Sequence, residues 1–153
     1  MKTLLQLLAI ASVAMGSATR AEDFPKGSPA FETKFSSAVK LAAANGKPVL
    51  AVFSAIWCAP CQQMKKEVYP AKAIQPFHDK FNWVYVDVDD ASTEKLQQQF
   101  HIQYFPTIIF LNKDGKKVDE HVGGSDAKSF AEKLQSVLKK LPPAAEQDAP
   151  KKS

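Results

Sequence analysis

Trp57-Cys58-Ala59-Pro60-Cys61 constrains this chain more than any other segment. It holds the only two cysteines of the sequence, separated by two residues. Just upstream, Val49-Leu50-Ala51-Val52-Phe53 is an unbroken apolar run, the pattern of a strand buried on both faces. Downstream the spacing turns helical, with Met64 and Val68 at i, i+4. A cysteine pair at a strand-to-helix junction puts the first sulfur at a helix N-terminus, where the thiolate is favoured. Cys58 is therefore expected to be exposed, with backbone N–H groups pointing at its sulfur, and Cys61, one turn in, to be more buried. Pro60 falls in the first turn, where its missing N–H is harmless, and it stiffens the loop. Trp57 is either a core aromatic or a flat apolar wall beside the sulfurs.

Four chemistries compete for the pair. A structural staple gains little, because so short a loop removes little unfolded-state entropy. A zinc site needs two more ligands, and His78, His101 and His121 lie isolated from one another. A c-type haem site needs histidine directly after Cys61, where this chain has Gln62. Thiol–disulfide exchange is the leading reading, beside a fold that has kept the pair without useful activity. Neither metal nor bound cofactor is expected.

The 153 residues give room for one domain with a hydrophobic core. Residues 1–21 have the form of a secretory signal: Lys2, the short apolar stretch Leu4 to Gly16, then small residues. Cleavage is expected after Ala21, with Ala18 as the other candidate. The stretch is short for an uncleaved membrane anchor, the competing reading. The formal charge of +4 includes Lys2 and Arg20; without them 18 basic and 16 acidic side chains leave +2 and no arginine. Bidentate phosphate and base recognition lean on arginine, which argues against a nucleic-acid partner.

Residues 22–30 are an irregular lead-in, and a domain is expected over 31–141. Ser28-Pro29 is a good helix start, followed by Phe31, Phe35, Ala38, Val39 and Ala42 on one face and a stop at Asn45-Gly46. A strand is predicted over 48–54, a helix from Cys58 to about Val68 interrupted by Tyr69-Pro70, and a short helix over 71–79. Then come a strand from Trp83 to Val88, a helix from Ser92 to Phe100, and a strand from Pro106 to Leu111. A turn at Asn112 to Gly115 leads to a hairpin strand from Lys116 to Val122. After Gly123-Gly124, Ser125 is the expected cap of a last amphipathic helix ending near Leu141. Residues 142–153 have the composition of a disordered tail. The element order implies an α/β fold, a central mixed sheet flanked by helices on both faces.

These motifs together resemble the thioredoxin-like family. The resemblance covers roughly 31–141 and rests on Trp57-Cys58-Ala59-Pro60-Cys61 after a strand, on Phe105-Pro106-Thr107 before a strand, and on Gly123-Gly124. It implies Cys58 as nucleophile, Cys61 as resolving cysteine and a redox disulfide between them. It also implies a cis Phe105–Pro106 bond facing that disulfide, with Trp57, Pro60, Phe105, Pro106 and Thr107 lining the substrate site. The backbone of Phe105 would pair with a substrate strand as an added edge. Two positions depart from the family: the buried acid beneath the second cysteine is replaced by Val52, and its lysine partner falls at about Tyr85. Asp87, Asp89 and Asp90 are expected to cap a strand end, and Glu67 to lie off the Cys61 face.

The implied function is an exported thiol–disulfide oxidoreductase, periplasmic or secreted, exchanging disulfides with protein substrates. Ala59-Pro60 places no charge between the cysteines, and Lys65 lies about two turns from Cys58. This favours a reductase or isomerase over a dedicated oxidase. A membrane thiol-reducing carrier is the expected electron source, and a monomer is expected. The alternative is a redox-inactive thioredoxin-like binding or chaperone-like module.

Overall fold

The computed structural model describes residues 24–142. The candidate signal and all but the first residue of the expected tail lie outside them. A five-stranded sheet has the order β1-β3-β2-β4-β5, formed by β1 (Phe31–Glu32), β2 (Val49–Ser54), β3 (Asn82–Asp87), β4 (Thr107–Leu111) and β5 (Lys117–Val122). The first three strands of that order run parallel, and β4 and β5 are antiparallel additions. The β2 side chains alternate between two apolar layers. Leu50 and Val52 join Met64, Val68, Phe130 and Leu134, whereas Val49, Ala51 and Phe53 join Ala38, Ala42 and Phe100. With both faces covered, an unbroken apolar strand is what burial requires.

α1 (Phe35–Asn45) and α4 (Glu94–Gln99) cover the second layer. α2 (Ala59–Gln63), its continuation Met64–Val68, α3 (Gln75–His78) and α5 (Ala127–Lys140) lie on the first. The continuation is a π-helical turn closed by the Tyr69 amide on the Met64 carbonyl at 3.0 Å. The wider turn lets Met64, Val68 and Tyr69 all reach the core, each at most 3% exposed.

Three boundaries differ from expectation for local reasons. No helix starts at Ser28-Pro29; Phe31 and Glu32 pair with Trp83 and Val84 instead. Phe31 stacks on Phe24 at 4.3 Å and meets Trp83 and Tyr85 edge-on, on the sheet face opposite to Phe35. A helix through both would have put them on one side. Over 71–79 only Gln75–His78 is helical, after the single turns closed by the Ala71 and Ile74 amides. Asp126, not Ser125, caps α5, its carboxylate accepting from the Ser129 amide at 3.0 Å.

α5 is also held to β5 by charge. Asp119 accepts from Lys133 at 2.8 Å and from Lys140 at 2.6 Å. Burial pulls its carboxyl up, but the hydrogen bonds from Lys133 and Lys140 outweigh it and hold the pKa at about 2. A folded-state pKa below the unfolded value gives stability that is present above about pH 4 and lost as pH falls through about 2. Asp119→Asn is expected to lower stability at pH 7 by about 1 kcal/mol after solvent screening. The same substitution should flatten the stability profile between about pH 4 and pH 2, measured by urea unfolding across that range. An unchanged profile would remove the carboxylate from this role.

Candidate active site

Cys58 and Cys61 are joined by a disulfide, with a Cα–Cα distance of 5.2 Å. Cys58 is the N-cap of α2, and the Cys61 amide donates to its sulfur at 3.3 Å. The sequence folds this way because β2 ends at Ser54, a turn through Ala55 to Trp57 redirects the chain, and Pro60 fits the first helical turn. The amide at the sulfur is the expected helix-terminal arrangement, and it favours negative charge there once the bond is opened. The exposure of Cys58 is not as expected: it is 6% exposed against 2% for Cys61. Ala55 shares a cluster with both cysteines, and Val88 and Phe105 pack against it.

Trp57 is not a core residue; 64% of it is exposed. Its ring stands edge-on to Phe105 at 5.8 Å, and its Nε1–H donates to both Asp89 carboxylate oxygens at 3.0 and 3.1 Å. Asp89 therefore orients the wall beside the disulfide, a role its strand-end position did not suggest. The neighbouring acids do cap: Asp87 accepts from the Asp89 amide, and Asp90 accepts from the Ser92 amide at the start of the 3₁₀ turn before α4.

The Phe105–Pro106 bond is cis. Phe105 packs on the cysteine cluster, and its backbone makes no hydrogen bond among the described residues. The Pro106 carbonyl is taken by the Gly123 amide at 2.8 Å. Thr107 is 4% exposed, and its hydroxyl donates to the Tyr104 carbonyl at 2.7 Å, so its side chain holds the turn from within. On the far side, a Cβ at Gly124 would sit 3.2 Å from the Pro60 Cβ. Gly124 therefore allows the β5–α5 loop to press on the cysteine loop. Phe105 thus packs on the cysteine cluster and Trp57 stands against Phe105, while Pro60 lies between the two cysteines and Pro106 and Thr107 follow Phe105 directly in sequence.

Val52, the position where the resemblance expected a buried acid, is fully buried and opposite Tyr85 in the β2–β3 register. The polar groups nearest in the register are Ser54 and Tyr85, whose hydroxyls bond at 2.7 Å. Spacing along β2 and β3 gave no sign of that pair. Lys65 lies over the Phe24 ring at 4.6 Å and the Tyr85 ring at 5.9 Å. Glu67 accepts from Gln63. Burial pushes the Tyr69 phenol far above its usual range, with Tyr85 adding to the effect, so it remains protonated at neutral pH.

The histidines stay apart. His78 Nε2 faces the Tyr69 carbonyl, His101 takes a left-handed φ of 54° after α4, and His121 packs on Phe130. Burial and the Lys133 charge favour neutral His121, against a backbone hydrogen bond at Gly123. Among the described residues no cluster of three metal-ligating side chains occurs.

The thioredoxin-like domain family model matches residues 35–138. The thioredoxin-like protein HCF164, chloroplastic, of Oryza sativa subsp. japonica is 30% identical over 96 residues, covering 63% of this chain and 36% of that protein. The thiol:disulfide interchange protein DsbD of Pseudoalteromonas atlantica is 31% identical over 105 residues, covering 65% of this chain and 18% of the relative. The matched region thus spans only about a third or less of these two curated relatives. The crystal structure of a poplar wild-type thioredoxin h superposes with a TM-score of 0.55 at 31% identity, covering 68% of this chain and 87% of that one.

Proposed function

This chain belongs to the thioredoxin-like domain family, and from that premise we propose that it is a thiol–disulfide oxidoreductase acting on proteins through Cys58 and Cys61. One observation carries the reading: a disulfide at the start of a helix, with the Cys61 amide on the Cys58 sulfur and the cis Phe105–Pro106 loop packed on the pair. In the reduced protein the Cys58 thiolate attacks one sulfur of a partner disulfide. The partner S–S bond breaks, its second sulfur leaves as a thiolate, and a mixed disulfide forms. The Cys61 thiolate then attacks the Cys58 sulfur, and the first partner sulfur leaves. The partner gains two electrons and two protons, and the Cys58–Cys61 bond is regenerated. The open backbone of Phe105 accepts the partner's extended segment as an added edge.

The direction favoured is reduction or isomerisation. No charge separates the cysteines, and the Lys65 ammonium is drawn onto the Phe24 ring. The Leu4 to Gly16 stretch supports export to the periplasm or beyond, where a monomer re-reduced by a membrane thiol carrier is the arrangement we propose. Equilibration of the protein in graded glutathione buffers tests the direction. A potential below about −180 mV is expected, and one near the −120 mV of a strong oxidant would reverse it. The second reading, a redox-inactive binding module, draws on the apolar Val52 where the resemblance expected a buried acid. The cysteine substitutions argued in the Discussion separate the two.

A further inference from the structure

Ala55 is the last packed residue before the cysteines. It is 1% exposed and shares their cluster, and β2 ends one residue before it. The next two residues stand out in solvent, Ile56 at 79% and Trp57 at 64% exposure, and Ile56 joins no core cluster. Packing therefore does little to fix the turn that delivers Cys58. Hydrogen bonds fix it. The Ala55 carbonyl accepts twice, from the Cys58 amide at 3.3 Å and from the Gln62 side-chain amide at 3.0 Å. The Gln62 backbone amide in turn donates to the Cys58 carbonyl at 3.1 Å. Gln62 thus grips the turn at both ends, at Ala55 through its side chain and at Cys58 through its backbone. Among the described residues, the other side-chain hydrogen bond that reaches residues 55–61 from outside is Asp89 on Trp57, which holds a ring and not the backbone.

The grip counts most when the disulfide is open. In the oxidised protein the S–S bond ties Cys58 to Cys61 on α2, so the place of Cys58 is fixed twice over. Reduction removes the covalent tie. The Cys58 sulfur, 3.3 Å from the Cys61 amide in the oxidised protein, then keeps that donor only as long as the turn behind it stays in place. The bridge from Gln62 to Ala55 is what spans the turn from the helix side. It is also uncharged. A cationic donor next to Cys61 would stabilise the thiolate further and push the pair toward the oxidising side. A side-chain amide positions the nucleophile without that effect.

We propose that Gln62 is a positioning residue for disulfide exchange: its side-chain amide, anchored on the Ala55 carbonyl, keeps the Cys58 sulfur on the Cys61 amide in the reduced protein. This rests on the exchange activity proposed above, and it adds what holds the nucleophile between the two half-reactions.

Two variants test it. Gln62→Met keeps the length of the side chain and removes the donor. Gln62→Glu turns carboxylate oxygens toward the Ala55 carbonyl at neutral pH. Gln63→Met is the control, one residue along the same helix, where the side chain bonds Glu67 instead. In the reduced proteins, ultraviolet absorbance of the thiolate follows the first thiol to titrate. Gln62→Met is expected to raise that titration by about half a pH unit and to shift the equilibrium with glutathione about threefold toward the Cys58–Cys61 disulfide. Gln62→Glu is expected to move both further in the same direction. Urea unfolding of each redox form is expected to show the reduced variants losing more stability than the oxidised ones. Unchanged titration and equilibrium in both variants, equal losses in the two redox forms, or the same shifts in Gln63→Met would overturn the proposal. Neither the titration nor the glutathione equilibrium needs a protein substrate. The expected shifts in a chain that turns over no protein disulfide would therefore sink the exchange reading and leave Gln62 holding the thiolate. Turnover by wild type with both variants unchanged would sink only the role of Gln62.

Discussion

Cys58→Ser abolishes turnover of a model protein disulfide, with an expected loss of roughly a thousandfold or more, while Cys61→Ser stops after the first step and accumulates mixed disulfides. The asymmetry comes from the helix start. Only Cys58 is the N-cap, and the Cys61 amide lies 3.3 Å from its sulfur, so opening the bond leaves the charge best stabilised on Cys58. Cys61 is one turn further into the helix, disulfide-bonded to Cys58, which places it to attack the Cys58 sulfur of a mixed disulfide. Hydroxyl for thiol at Cys58 removes the nucleophile. At Cys61 it removes only the group that resolves the intermediate, so the partner stays covalently attached. Non-reducing gels of the two variants mixed with an oxidised substrate make the comparison. Equal turnover by wild type and both variants would leave a binding module on this fold.

The legible parts of the fold were those where one local pattern had a single physical solution. Val49 to Ser54 is apolar at every position up to Phe53, and a strand between two helical layers is what that pattern requires. The stripe Phe130, Leu134 and Val137 reports α5 in the same way. Much of the site was legible too, because Trp57 to Cys61 and Phe105-Pro106 are contiguous in sequence. What escaped is non-local. β1 is two residues long, and its existence depends on the aromatic contacts of Phe31 with Phe24, Trp83 and Tyr85. The π-helical turn depends on three core demands, at Met64, Val68 and Tyr69. The tether between Trp57 and Asp89 spans 32 positions, with no periodicity to announce it. Cys58 looked exposed from its place at a helix end, and the packing of Phe105 and Val88 on its cluster comes from segments distant in sequence, just before β4 and just after β3.

Val52→Asp is expected to destabilise the fold by about 3 kcal/mol or more at neutral pH. Val52 has no exposed surface, sits opposite Tyr85 on one side and Ile108 on the other, and shares its layer with Leu50, Met64 and Phe110. Lys65, which lies over the ring of the register partner Tyr85, is engaged there and on the Phe24 ring and is not directed at an introduced carboxylate. Desolvation raises the folded-state pKa of an introduced carboxyl above its unfolded value. The sign then follows from proton linkage: the loss is smallest below about pH 4, where both states are protonated, and grows as pH rises toward the folded-state pKa. Equilibrium urea unfolding of wild type and variant from pH 4 to pH 8 measures it. A loss that does not grow with pH would mean that the site already accommodates a charge, through the Tyr85–Ser54 hydroxyl pair or through water. In that case the apolar floor is no barrier to proton transfer at Cys61. With the expected growth, position 52 does not accommodate a charge, and in the exchange proposed above the proton of Cys61 leaves by a route that avoids the floor of the site.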